Sequence, residues 1–283
     1  MARQLFLGAV AYDPKTVTLW EGFRAWLAEA GLDFDYALFS NYERQAEALL
    51  SGEVNVAWNS PLAWVRCRRL AAARGRQAHA LVMRDTDQDL ASIVIVRSDS
   101  DVRSIDALRG RTIATGAVDS PQATLLPLYH LHKAGLTASQ DFQVRRFDLG
   151  VGKHGDHIGG EGEAAKALMK GEVDAACIMD GTRLMLAREG VLREGDIRVI
   201  AQTDLYDHCN MTALELSPEL EKFRDQLFQM SYEDPRVRPL LDLEGLKVWK
   251  EGRTQGYAAL EAAVDLARFY DAHGAVTASE YRP

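Results

Sequence analysis

Short apolar runs alternate with segments of helical period through the first two thirds of the chain. Leu5-Phe6-Leu7-Gly8-Ala9-Val10 is an unbroken apolar run of strand length, the pattern of a strand covered on both faces. Asp13-Pro14 supplies a helix N-cap and a proline for the first turn, and Val17, Trp20, Phe23 and Leu27 keep helical spacing until Gly31. The alternation continues with a strand over 34–39, a helix over 42–50 closed by Ser51-Gly52, a strand over 54–58, and a helix opened by Ser60-Pro61. Segments 78–84 and 91–97 read as a strand pair joined by the polar turn 85–89. A strand over 111–115 follows, then a helix from Ser120-Pro121 to Lys133, a strand over 142–147, and a glycine-rich loop over 150–162. A helix over 163–170 ends at Gly171 before a strand over 173–179. After a strand over 197–201, helices dominate, at 217–230, 235–241 and 257–273. Regular strand–helix alternation predicts βαβ units and mostly parallel sheets flanked by helices.

One junction occurs twice. Residues 46–57 and 164–176 each carry a helix, a Gly-Glu-Val turn, Asn or Asp, and small apolar residues. The recurrence predicts two lobes of like topology, the first formed by 1–96 and 201–283, the second by 97–200, with short strand crossovers as the hinge. A ligand is then expected in the cleft between lobes, beyond the carboxyl ends of the strands.

Composition narrows the function. The 283 residues are 47% hydrophobic and carry a net charge of −8, so a core is affordable and a nucleic-acid partner is not expected. The one arginine-rich stretch, Arg66, Arg68, Arg69, Arg74 and Arg76, reads as the solvated face of a helix. No apolar run is long enough to span a bilayer, so membrane insertion is not expected. Residues 1–4 lead directly into the first strand without the apolar stretch of a signal peptide. The expected location is cytoplasmic if Met1 is the native start, and periplasmic or otherwise extracytoplasmic if a leader was removed. The three cysteines, Cys67, Cys177 and Cys209, are too few and too odd in number for a disulfide framework.

The candidate chemistry lies at helix starts. Asp13-Pro14, Ser60-Pro61 and Ser120-Pro121 each follow a strand. Helix N-termini present unpaired N–H groups and partial positive charge, so they hold anions without needing basic side chains. Ordinary capping is the alternative role for each. The loop residues His154, Asp156, His157 and Glu161 could ligate a metal, although their spacing fits no standard motif and no metal or other cofactor is expected; His154 and His157 are the candidates. Asp207-His208-Cys209-Asn210 forms a second polar cluster. On a strand, neighbours face opposite ways, so direct pairing of His208 with Cys209 is not expected.

The sequence resembles the phosphonate/phosphate-type solute-binding proteins of ABC transporters, of type II periplasmic-binding-protein fold. The resemblance rests on Asn41-Tyr42, on Gly52-Glu53-Val54-Asn55 leading to Ser60-Pro61, on 92–100, on Leu108-Arg109-Gly110-Arg111-Thr112-Ile113-Ala114, on Ser120 with 127–131, and on Gly171-Glu172-Val173-Asp174. It implies a receptor for a small oxyanion, phosphonate-, phosphate- or carboxylate-like, and an ABC transporter membrane component as partner. In that family a Ser-Thr-Ser-Gly run holds the phosphonate; Ser120-Pro121-Gln122-Ala123 stands there in this chain, with one hydroxyl of the set. The ligand contacts expected from residues and resemblance together are Tyr12, Tyr42, Trp58, Ser60, Ser120, Gln122, Glu161, Asp180 and His208. The rival expectation is a cytoplasmic decarboxylase- or lyase-type enzyme on the same fold, using the His- and acid-rich loops as general acids and bases. An intracellular sensor closing on its ligand ranks behind both.

Overall fold

The computed structural model describes residues 5–156, 160–193 and 195–283. The chain divides into two compact units: residues 1–88, 207–257 and 270–275 in one, residues 89–206, 258–269 and 276–283 in the other.

In the first unit, β1 (Leu5–Val10), α1 (Lys15–Glu29), β2 (Phe34–Phe39), α2 (Tyr42–Ser51), β3 (Val56–Asn59), α3 (Pro61–Ala72) and β4 (His79–Arg84) follow in order. Within the second unit come β5 (Ser92–Arg97), β6 (Thr112–Thr115), a π-helical turn at Pro121–Leu125 running into α4 (Leu126–Lys133), β7 (Gln143–Arg146), α5 (Gly160–Met169), β8 (Ala175–Met179), α6 (Thr182–Arg188) and β9 (Ile197–Gln202). The chain then gives the first unit β10 (Asn210–Ala213), α7 (Pro218–Gln229), α8 (Arg238–Glu244) and β11 (Trp249–Glu251), and the second unit α9 (Ala258–Ala267).

The two sheets share a plan. The first has the order β11-β4-β10-β3-β1-β2, the second β7-β6-β8-β5-β9. In each, three parallel strands stand together, with the earliest of the three in the middle: β2-β1-β3 and β7-β6-β8. In each, an antiparallel strand borders the third, β10 beside β3 and β5 beside β8. The parallel character expected from the βαβ rhythm thus holds for the crossover-linked strands, and the remaining strands add antiparallel. The segments expected to pair across the turn at 85–89 do not pair. β4 joins the first sheet beside β10 and β11, and β5 joins the second beside β8 and β9. A polar turn between two apolar runs marks a reversal equally well when the chain leaves one sheet for another.

Alternation along strands distributes the cores. Leu5, Leu7 and Ala9 pack with Trp20, Phe23 and Leu27 of α1 and with Leu220, Phe223 and Leu227 of α7, while Phe6 faces Ala46, Leu49 and Ala71 on the other side of the sheet. In the second unit Ile93 and Ile95 pack with Ala164, Ala165 and Leu168 of α5, and Val94 and Val96 with Leu131, Leu136 and Phe142. The repeated Gly-Glu-Val junction serves the same purpose twice: Gly52 at φ +80° and Gly171 at φ +72° end a helix ahead of the third parallel strand.

Within the arginine-rich stretch Arg68 and Arg74 are exposed as expected, and Arg66 departs from the solvated role. Arg66 is 6% exposed. Its guanidinium donates to the carbonyls of Glu43 (2.7 Å) and Gly274 (3.0 Å) and to the Glu47 carboxylate (2.9 Å). These acceptors lie far away in sequence, so local charge pattern could not reveal them. Arg66→Met should cost about 2–3 kcal/mol in chemical denaturation, because buried carbonyls lose a charged donor. The same change at exposed Arg68 should alter stability by no more than about 0.5 kcal/mol.

Candidate functional site

In the second unit β6 ends at Thr115, and the chain turns through 116–119 into the π-helical turn. Ser120 caps that turn: its Oγ accepts the Ala123 N–H at 3.2 Å, and its own N–H donates to the Ala117 carbonyl at 3.0 Å. Pro121 in the first position brings no N–H to satisfy. Capping uses a lone pair of the Ser120 hydroxyl, so its hydrogen remains available to a ligand acceptor. Gln122 Nε2 donates to the Gly155 carbonyl at 2.9 Å, and the Gln122 carbonyl accepts from Ser92 Oγ at 2.6 Å. Gln122 Oε1 is buried without a hydrogen-bond partner among the described residues.

The loop after β7 is drawn down onto this cap. Asp119 is fully buried, and its Oδ2 accepts the N–H groups of Gly152 (2.6 Å) and His154 (3.2 Å). His154 is fully buried at φ +53°, with Nε2 at 3.3 Å from the Tyr281 hydroxyl. Gly155 makes the closest approach: a Cβ there would lie 2.4 Å from Ser120 Oγ and 2.9 Å from Gln122 Nε2, and its φ is +73°. Gly116, Ala117, Ser120, Gly155, Gly160 and Glu161 line a small depression of about 10 Å³, the room of about one water molecule. Glu161, 7% exposed, sits in the first turn of α5 and accepts the Met179 N–H at the end of β8 (2.8 Å). A carboxylate suits a helix start, but it also gives this depression an acceptor.

Burial pushes the Asp119 carboxyl above its ordinary value; the charge of nearby His154 and the two backbone N–H groups oppose that rise.

The other expected contacts lie elsewhere. Asp180 follows β8, about half exposed, with its carboxylate 3.1 Å from Arg183. In the first unit Ser60 repeats the capping pattern, accepting the Ala63 N–H at 3.1 Å at the end of β3, and is fully buried. Asp13 does not cap α1 in that way: its carboxylate accepts the Lys15 N–H at 2.8 Å, and Pro14 occupies the cap position without a side-chain bond. Tyr12 is partly exposed beside Lys15, whose ammonium stands 6.0 Å from the ring centre. Tyr42 is buried with Val10 and Ala63. Trp58 is a core residue, 5.9 Å from the Trp249 ring and 5.2 Å beneath the Arg84 guanidinium.

His208 corrects one expectation. Its Nδ1 lies 3.1 Å from Cys209 Sγ, although neighbours were expected to face apart. The strand rule does not apply, because β10 begins only at Asn210. Of the metal candidates, His157 lies outside the described residues, and no group of three donors among the described residues includes His154. The three donors that do converge are Asp87, His208 and Cys209. Asp87 lies in a turn whose sequence announces only polarity; the signal for it is Arg84 three residues earlier, at the end of an apolar strand. The signal for Asp119 is its place directly before the capping Ser-Pro pair.

The family model for ABC-transporter phosphonate periplasmic substrate-binding proteins matches residues 8–263. Among solved structures, PhnD1 from Prochlorococcus marinus in complex with methylphosphonate is 16% identical with a TM-score of 0.68, covering 93% of this chain and 98% of that one. XAC2383 from Xanthomonas citri bound to ATP is 18% identical with a TM-score of 0.70 and the same coverage. The periplasmic aliphatic sulphonate binding protein SsuA from Escherichia coli is 19% identical with a TM-score of 0.56, covering 95% and 92%. At these identities the structures establish a type II periplasmic-binding-protein fold.

Two outcomes test the geometry. Gly155→Ala should destabilise the protein in denaturant by more than Gly52→Ala. The latter places a Cβ with nothing within 4 Å and pays only the left-handed backbone cost of about 1–2 kcal/mol. For Asp119, a raised folded-state pKa means that protonation favours the folded form. Its penalty should grow as pH rises from the ordinary carboxylate value of about 3.9 through the raised value, then level off. Unfolding free energies of wild type and Asp119→Asn, measured across that window, should diverge there and run parallel at higher pH.

Proposed function

The chain belongs to the ABC-transporter phosphonate periplasmic substrate-binding family, and on that premise we propose that it captures a small oxyanion against the Ser120 cap of the second unit. Members of the family work outside the cytoplasm and deliver ligand to a membrane transporter, and both properties are proposed for this chain. No described helix is long and apolar enough to cross a membrane. The enzyme alternative draws no support from the family match or from the structural relatives.

The observation that carries the reading is the Ser120 hydroxyl at a helix start, lining a depression closed by a glycine that a Cβ could not replace. Gln122 lies beside it, and Glu161 opposes it as an acceptor. One hydroxyl donor facing a carboxylate suits an oxyanion that still carries a hydrogen, on oxygen or on an amino group, better than a fully ionised dianion. Ser60 offers the first unit the same capping chemistry at the end of β3.

A thermal-shift screen of phosphate, methylphosphonate, short alkanesulfonates and small carboxylates tests this. A ligand at about a hundred times its dissociation constant stabilises by about 2.7 kcal/mol, which reads as a rise of several degrees. Ser120→Ala should remove most of the rise, and Glu161→Gln should shift the preference toward the more highly charged anions. A shift undiminished by Ser120→Ala would place the ligand elsewhere.

A further inference from the structure

The cluster ahead of β10 carries chemistry that anion capture does not use. A carboxylate oxygen of Asp87, a ring nitrogen of His208 and the Cys209 Sγ all lie within 4.8 Å of one another, and all three residues are buried. Nδ1 stands 3.1 Å from Sγ and 3.5 Å from Oδ1. A single ring nitrogen therefore faces both a thiol and a carboxylate. A tetrahedral ion with bonds of about 2.0–2.3 Å sets its donors about 3.3–3.6 Å apart, a range that the imidazole–carboxylate separation meets and from which the imidazole–thiol separation departs by a few tenths of an ångström.

We propose that Asp87, His208 and Cys209 form a binding site for a borderline-soft divalent ion, zinc or cobalt in class. Imidazole, thiolate and carboxylate are the donor set such ions take, and three protein donors leave a fourth position for water or an anion. The surroundings hold these donors in place. Arg84 grips Asp87 with two bonds, Nε to Oδ2 at 2.6 Å and Nη2 to Oδ1 at 2.7 Å, which fixes the carboxylate plane. The Cys209 N–H donates to Asp87 Oδ1 at 3.2 Å, and the His208 N–H to the Asp87 carbonyl at 2.8 Å. Tyr257 donates to the His208 carbonyl at 2.8 Å. Such outer contacts orient metal ligands.

Charge points the same way. Asp87, Asp207 and Glu244 face the guanidiniums of Arg84 and Arg253, so in these ion pairs among the described residues the carboxylates outnumber the guanidiniums by one. An ionised Cys209 together with a divalent ion brings the cluster to neutrality. His208, 8% exposed, is the donor nearest to solvent. The proposal stands independently of the anion reading.

Cobalt(II) titration of the chelator-stripped, reduced full chain decides it. The expected result is a near-ultraviolet thiolate-to-cobalt charge-transfer band that saturates at one equivalent and is displaced by zinc(II). Cys209→Ser should abolish the band, and His208→Gln should weaken cobalt binding roughly tenfold or more. Cys67→Ser should leave the band intact, since burial pushes the Cys67 thiol up to about 12 and, among the described residues, it joins no group of three metal donors. Absence of the band in folded wild type at excess cobalt overturns the proposal, as does a band that survives Cys209→Ser. The wild-type titration alone can refute it, so a variant that fails to fold does not shield it.

Discussion

A parallel strand–helix–strand chain must leave the last carbonyls of each strand and the first amides of the next helix at the same end of the sheet. Most of what is specific to this protein follows from that constraint. The helix starts need acceptors, and Ser60 and Ser120 supply them. Proline in the next position removes one unsatisfied N–H each time. What remains at that end of each sheet is a region where backbone polarity is concentrated, and the proposed anion capture draws on that polarity.

How much of this was legible in the sequence varies with the range of the interaction. β1 begins and ends where its apolar run does, because burial on both faces leaves no ambiguity. The recurring Gly-Glu-Val junction marked equivalent places in two sheets, since a left-handed helix end needs the same residue wherever it occurs. The Ser-Pro caps were equally local. By contrast, β10 and β11 are three or four residues long and carry no alternation, so only their sheet neighbours define them. The burial of Arg66 depends on carbonyls at 43 and 274, and the draw of Asp119 on the loop depends on amides at 152 and 154. Long-range partners of this kind leave no trace in a window of ten residues.

The buried ionic group around Arg84 belongs to a different class of feature from the apolar cores. Its guanidinium is held by Asp87 and Glu244 and lies over Trp58, all nearly inaccessible. Such a group is weak evidence of stability, because removing two charges from water offsets much of their attraction. It does fix geometry: a planar fork on a carboxylate admits few arrangements. The Asp87 carboxyl is accordingly held far below the usual carboxylate range: burial alone would raise it, and the Arg84 charge outweighs that effect. A rigid carboxylate beside an imidazole and a thiol is a better-defined chemical environment than any the local sequence announces.

The place of β10 sets an order of events as the chain emerges from the ribosome. This strand lies between β3 and β4, yet residues 85–209 must be made before it exists. Until then the earliest strands can form only β2-β1-β3, with β4 lacking its neighbour on that side. The nascent chain therefore carries an open sheet edge through nearly half its synthesis, a surface suited to holding by chaperones. Maturation of the first unit is timed by the last third of the polypeptide, even though most of its strands are translated first.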